Sequence, residues 1–271
     1  MDLIETFGAK IGALSEEKPQ RARQLLTAGF RANGVKNKLA SKRSSKSDRM
    51  LFQLVNRAMV TCLAKPQSNV MVSLFTPCEM LHLQGLHPYS CEGFSSYLSG
   101  AMAEQPFLHQ AEDTGIPNSL CSYHKVFIGA AQMGLMPKPR FILSTSLACD
   151  ANTLTFRHLA QFYDVPHFNV DIPFESSPQA VDYVAGQLRQ MGEFLTQQTG
   201  LPLDDGQLAR TVARSQRTMA LYHRGLRLRA GRQVLSDLTS ELLRTAAFHF
   251  LLGTPETEAY ARQLLREPAL A

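Results

Sequence analysis

The sequence predicts an α/β fold: a doubly wound, mainly parallel sheet behind a helical amino-terminal lead-in and ahead of a long helical carboxyl-terminal segment. Three observations carry this expectation. Between residues 69 and 173, short apolar runs bounded by turn residues alternate with stretches of helical periodicity, the order that builds parallel sheets. Before about residue 64 and after residue 177, apolar residues recur only at helical spacing. Hydrophobic residues make up 44 % of the 271 and charged residues 19 %, which suits a globular chain with a sizeable core rather than a disordered one.

Taken in order, the stretches divide the chain into 1–64, 65–175 and 176–271. In the first, "RARQLLTAGFRANG" and "DRMLFQLVNRAMVTCLA" repeat apolar residues as amphipathic helices do, and Cys62 falls among the core positions. In the second, "NVMVSLF" (Asn69 to Phe75) reads as a buried strand. "PCEMLHLQG" reads as a helix with Pro77 near its first position, Cys78 inside it and Gly85 at its end. A short strand precedes "YSCEGF", which contains Cys91. "PNSLCSYHKVFIGAAQMG" reads as a helix starting near Asn118 or Ser119, either of which can cap it, with Cys121 in its first turn. "RFILSTS" (Arg140 to Ser146) and "VPHFNVDIP" (Val165 to Pro173) are the remaining strands. Between them "ANTLTFRHLAQFYD" is a helix that Asp150 can cap, with Cys149 just before it. From Ser177 onward the pattern is helical, and no strand is expected after Pro173.

Charge and cysteine usage narrow the function. The excess of 28 Lys and Arg over 23 Asp and Glu gives +5, enough to attract an anionic ligand and short of a nucleic-acid signature. Much of it lies in "KNKLASKRSSKS", where Lys36, Lys38, Lys42, Arg43 and Lys46 form either a solvated linker or a docking patch. "MDLIETFGAKIGALSEEKP" has neither a secretory signal nor a membrane span, so a cytoplasmic protein is expected. Five cysteines in a reducing compartment argue for free thiols used in packing, metal binding or catalysis. Neither a GxxxxGK[ST] phosphate loop nor a GxGxxG after a strand is present.

Cys121 and Cys149 stand out because each is placed at a helix start. Free backbone N–H groups and the positive end of the helix dipole favour a thiolate there. Ligands of open parallel sheets bind beyond the carboxyl ends of the strands. Cys149 follows such an end directly and Cys121 begins the preceding helix, so the two can converge on one rim as ligands or nucleophiles.

The same stretch resembles the 2-hydroxyacyl-CoA dehydratase family, which includes subunits of benzoyl-CoA reductase. The resemblance is carried by Pro77, Glu79, Met80, Leu81 and Gly85; by Cys121, Lys125 and Gly129; and by Ser144, Thr145, Ser146, Cys149 and Asp150, with the "VPHFNVDIP" strand following. It covers about Leu51 to Pro173 and, more loosely, the helices beyond. What it implies is a [4Fe-4S] cluster held by cysteines, with Cys121 and Cys149 matching the first two ligands and one iron open to a non-protein ligand or the substrate. The family's third cysteine belongs to a second α/β region. Three readings follow: the sequence is a piece of a longer protein, the favoured one; Cys91 or Cys78 completes the ligand set; or the chain is a degenerate member without a cluster.

The implied chemistry is loss of water from a (R)-2-hydroxyacyl-CoA to give an enoyl-CoA. One electron placed on the thioester makes a ketyl radical anion that expels the neighbouring hydroxyl and acidifies the β hydrogen, and the electron returns at the end. The implied partners are the acyl-CoA substrate, a homologous second subunit and a separate ATP-dependent iron–sulfur activator, with no nucleic acid and no membrane. Glu79 and Ser146 are the candidate catalytic groups. Lys125 is read either as a counter-charge for the cluster or a CoA phosphate or as a surface lysine. His124 is read as a donor to a cluster sulfur, a proton carrier or a partly exposed helical residue. Ser144 and Thr145 are read with Ser146 as donors to the thioester or as strand-end caps. Two rival functions remain open, an acyl-CoA reductase subunit and a non-catalytic scaffold or cluster-assembly partner. A zinc site on Cys121 and Cys149 lacks a CxxC pair or clustered histidines to support it.

Overall fold

The computed structural model describes residues 3–39, 45–147, 149–229 and 238–267. The lead-in folds as α1 (Leu3–Glu17), α2 (Pro19–Leu39) and α3 (Lys46–Ala64). Ser45 caps α3 by accepting the Asp48 N–H at 3.0 Å. A 3-10 turn at Pro66–Ser68 then feeds β1 (Asn69–Val72), followed by α4 (Glu79–Leu83), β2 (His87–Ser90), α5 (Cys91–Gly100), α6 (Gln105–Asp113), α7 (Ser122–Gln132), β3 (Phe141–Thr145), α8 (Asp150–Tyr163) and β4 (His167–Val170). The remaining described elements are α9 (Pro178–Thr199), α10 (Asp205–Arg229), α11 (Leu238–Phe250) and α12 (Pro255–Arg266).

The four strands pair in the order β2-β1-β3-β4, every pair parallel, so the expected α/β class is observed. Every residue of β1 and β3 is buried, as strands covered on both faces require. Their side chains alternate between two cores. Met71 and Ile142 point into one, with Phe127 of α7, Phe156 of α8 and Met59 of α3. Val70, Val72, Phe141 and Leu143 point into the other, with Met191 and Leu195 of α9, Phe250 of α11 and Tyr260 of α12. Thus α7 and α8 share one face, and the carboxyl-terminal helices cover the opposite one.

The strands are shorter than the sequence reading. β1 stops at Val72: Ser73 is still tied to β3, its N–H donating to Leu143 O at 3.2 Å and its hydroxyl accepting Thr145 N–H at 3.1 Å, and the chain then turns, Thr76 N–H donating to Ser73 O at 3.1 Å. Two helix starts also differ. α7 begins at Ser122, not near Asn118, and α8 begins at Asp150, so Cys121 and Cys149 are themselves the residues in the N-cap positions. Cys78 likewise precedes α4 rather than lying inside it. α8 ends where Asp164 adopts a left-handed conformation (φ 49°), which turns the chain into β4.

Candidate functional site

Along one rim of the sheet, the carboxyl ends of the strands (Ser90, Val72, Thr145 and Val170) meet the amino ends of the following helices. The chain leaves β1 toward β2 on one side and returns to β3 on the other, so the topological switch point lies between β1 and β3. A hydroxyl clasp closes that point, with Ser73 Oγ 2.9 Å from Thr76 Oγ1 and Thr76 in turn donating to Leu143 O at 3.3 Å.

Both candidate thiols lie at helix starts on the α7–α8 side of the sheet, and both are exposed. Cys121 O accepts the Lys125 N–H at 3.1 Å and Cys149 O the Asn152 N–H at 3.1 Å, the first bonds of their helices. Neither sulfur makes a side-chain capping bond, which leaves both free for other partners. The two helix starts are bridged by His124, whose Nε2 lies 3.9 Å from Cys149 Sγ, three residues beyond Cys121. Packing of α8 against α7 covers this histidine, so it is 5 % exposed rather than the partly exposed side chain that its helical position suggested. Burial lowers its pKa below the ordinary value, and its Nδ1 is buried with no hydrogen-bond partner.

The other cysteines do not join this pair. Cys62, Cys78 and Cys91 are each about 1 % exposed or less, and burial raises all three thiols well above their ordinary range. Cys91 packs in the core with Cys62 and Tyr89. Among the described residues no group of three His, Cys, Asp or Glu side chains is placed to hold a metal ion. The exposed donors are therefore the two thiols Cys121 and Cys149, with a buried imidazole beside the second of them.

The remaining candidates have protein partners. Lys125 is buried, not on the surface: its Nζ donates to Glu112 Oε1 at 2.6 Å and to Asn118 O at 3.0 Å, because α6 runs alongside α7 and carries that glutamate in its last turn. Ser146 Oγ accepts the Ile172 N–H at 2.8 Å and fastens the loop after β4 to the end of β3. Ser144 donates to Asn169 Oδ1 at 2.7 Å and contacts His167 Nε2 at 2.8 Å, between strands. Glu79 Oε1 accepts from Ser215 of α10 at 2.8 Å.

One rim carboxyl had no sequence signal beyond the serine that precedes it. Glu92, in the first turn of α5, accepts from Leu74 N at 3.1 Å and Ser90 Oγ at 2.9 Å, and burial pushes its carboxyl pKa up. Two clefts open on the surface of the described residues. An apolar one of about 470 Å³ runs between Ile172, Phe174, Val181, Val184 and Leu188, next to the loop that Ser146 holds. A basic one of about 470 Å³, lined by Lys38, Lys46, Arg49, Arg57 and Glu256, takes in part of the predicted docking patch; Lys42 and Arg43 lie outside the described residues. Among the described residues no helix is long and apolar enough to cross a membrane.

Comparison with known proteins bears on this rim. A family model described as the 2-hydroxyglutaryl-CoA dehydratase D-component matches residues 73–269. The (R)-phenyllactyl-CoA dehydratase alpha subunit of Clostridium sporogenes is 25 % identical over 121 residues, with 41 % of this chain covered. The matched part spans 30 % of that relative's own length.

Proposed function

The chain belongs to the 2-hydroxyglutaryl-CoA dehydratase D-component family, and on that premise we propose that it is a subunit of a hydro-lyase that converts a (R)-2-hydroxyacyl-CoA to an enoyl-CoA and water. The observation that carries the proposal is the two exposed thiols, Cys121 and Cys149, at the starts of the packed helices α7 and α8, with His124 of α7 against the Cys149 sulfur. These two sulfurs are the groups of this chain that would hold a [4Fe-4S] cluster. A bound cluster of that kind supplies one-electron reduction and an iron with an open position.

The chain's own residues shape the surroundings. Ser146 holds the Ile172 loop in place, so that the apolar cleft opens beside the end of β3, where an acyl chain can lie away from water. Glu79 and Ser146 are the rim's candidates for contact with the thioester or its protons, and each must release its present partner, Ser215 or the Ile172 backbone, to reach it. Lys125, already matched by Glu112, sets the position of α6 against α7 in this reading, and any counter-charge it lends to the cluster acts from within that pair. The relative's designation as an alpha subunit supports a homologous second subunit as partner. The one-electron step calls for a separate ATP-dependent iron–sulfur activator, and a cytoplasmic location suits free thiols.

Anaerobic iron and sulfide analysis with an EPR spectrum tests the proposal, applied to the protein beside Cys121→Ala and Cys149→Ala. Each substitution is expected to remove most of the bound iron and the cluster signal. Iron content unchanged in both variants would overturn the cluster assignment.

A further inference from the structure

The first turn of α7 carries a histidine whose burial packing alone does not explain. The His124 ring lies tilted against Phe127 at a centroid distance of 5.3 Å, on a helix whose following residues, Val126, Phe127 and Ile128, are buried and apolar. An apolar side chain would fill that place without penalty, whereas a buried ring nitrogen with no partner destabilises the fold. Nδ1 is such an atom. What the position gains is the other nitrogen, Nε2, at 3.9 Å from Cys149 Sγ. Lys125, the next residue, is turned into its pair with Glu112 and contributes no donor to the sulfur.

We infer that His124 is a positioning residue for Cys149: its imidazole donates a hydrogen bond from Nε2–H to the sulfur and fixes where that sulfur sits at the start of α8. The inference rests on the cluster reading above for the identity of what Cys149 holds, but the pair itself stands on geometry. Of the two neutral tautomers, the one protonated on Nδ1 would bury an N–H without an acceptor and turn a lone pair toward sulfur. The one protonated on Nε2 buries only an unused acceptor, the less costly deficit, and donates where an acceptor lies. A donor on a ligand sulfur favours the more electron-rich state of an iron–sulfur centre and so raises its reduction potential.

The test compares wild type, His124→Phe and His124→Gln, each full-length and reconstituted anaerobically with iron and sulfide. Iron is quantified and the midpoint potential is read by EPR-monitored titration. His124→Phe is expected to titrate at a lower potential with altered g values, and His124→Gln, which keeps an N–H donor, to recover part of the shift. In parallel, long-range ¹H–¹⁵N spectra of the iron-free protein should show His124 as the Nε2–H tautomer, with ring signals that move in Cys149→Ala. This arm decides the case even where His124→Phe retains no iron. A His124→Phe potential equal to wild type, or an Nδ1–H tautomer indifferent to Cys149→Ala, overturns the inference. A wild-type protein that takes up no iron while the Nε2–H response persists overturns the cluster reading instead and supports the His124–Cys149 pair.

Discussion

At the residue scale, local chemistry and distant partners divide cleanly. Cys121 and Cys149 were legible because a helix start is a local feature, set by a few neighbouring residues, and the structure keeps both thiols exposed there. Lys125 and His124 were not, because their environments come from α6 and α8, elements that no spacing within α7 can report. His167 shows the same dependence and carries a testable consequence. Burial, helped by the charge of Arg157, pushes its pKa down from 6.5 to about 4. Above pH 6.5 the ring is neutral in both folded and unfolded chains and contributes nothing to pH dependence. As pH falls from 6.5 toward 4 the unfolded chain takes up a proton that the folded one refuses, so stability declines through that window. Denaturant midpoints measured across it are expected to fall with pH in wild type and to fall less steeply in His167→Gln. Equal slopes would show that another group governs the loss.

At the element scale, the site depends on how closely α6 and α7 approach. Gly129 sits in the middle of α7 with its Cα against the Phe107 backbone of α6, where an added Cβ would collide with the Phe107 carbonyl. Only glycine lets the helices meet at this distance. Gly129→Ala is therefore expected to lower the unfolding free energy by about 3 kcal/mol or more, as overpacking against rigid backbone does. It should also reduce bound iron, since α7 carries Cys121 and His124. A denaturant midpoint within error of wild type would show that α6 yields easily. The strand at Asn69 to Phe75 illustrates the limit of reading elements from pattern. Its apolar run continues past Val72, but the observed strand ends where Ser73 finds Leu143 and Thr145, residues far along the chain.

At the scale of the whole molecule, the sheet is a shared wall between two cores, and α9 to α12 build one of them. Met191 and Leu195 are fully buried against Val70, Val72 and Leu143. A fragment ending at residue 175 would keep only Leu51, Val55 and Leu81 from α3 and α4 in that core and lose the cover that α9 to α12 supply, and parallel sheets are found buried on both faces. It is expected to lose cooperative thermal unfolding by circular dichroism; a sharp transition in the fragment would show that one face suffices. What the sequence determined by itself was the order of the four strands, the parallel sheet they imply and the two cysteines at helix starts, because periodicity and capping are written in neighbouring residues; α5 and α6, between β2 and α7, were not read from it. What only the tertiary structure decided was which groups meet: the burial of Lys125 on Glu112, the clasp at the switch point and the contact between His124 and Cys149. Those contacts join residues separated along the chain, and their geometry exists only once the helices have packed on the sheet.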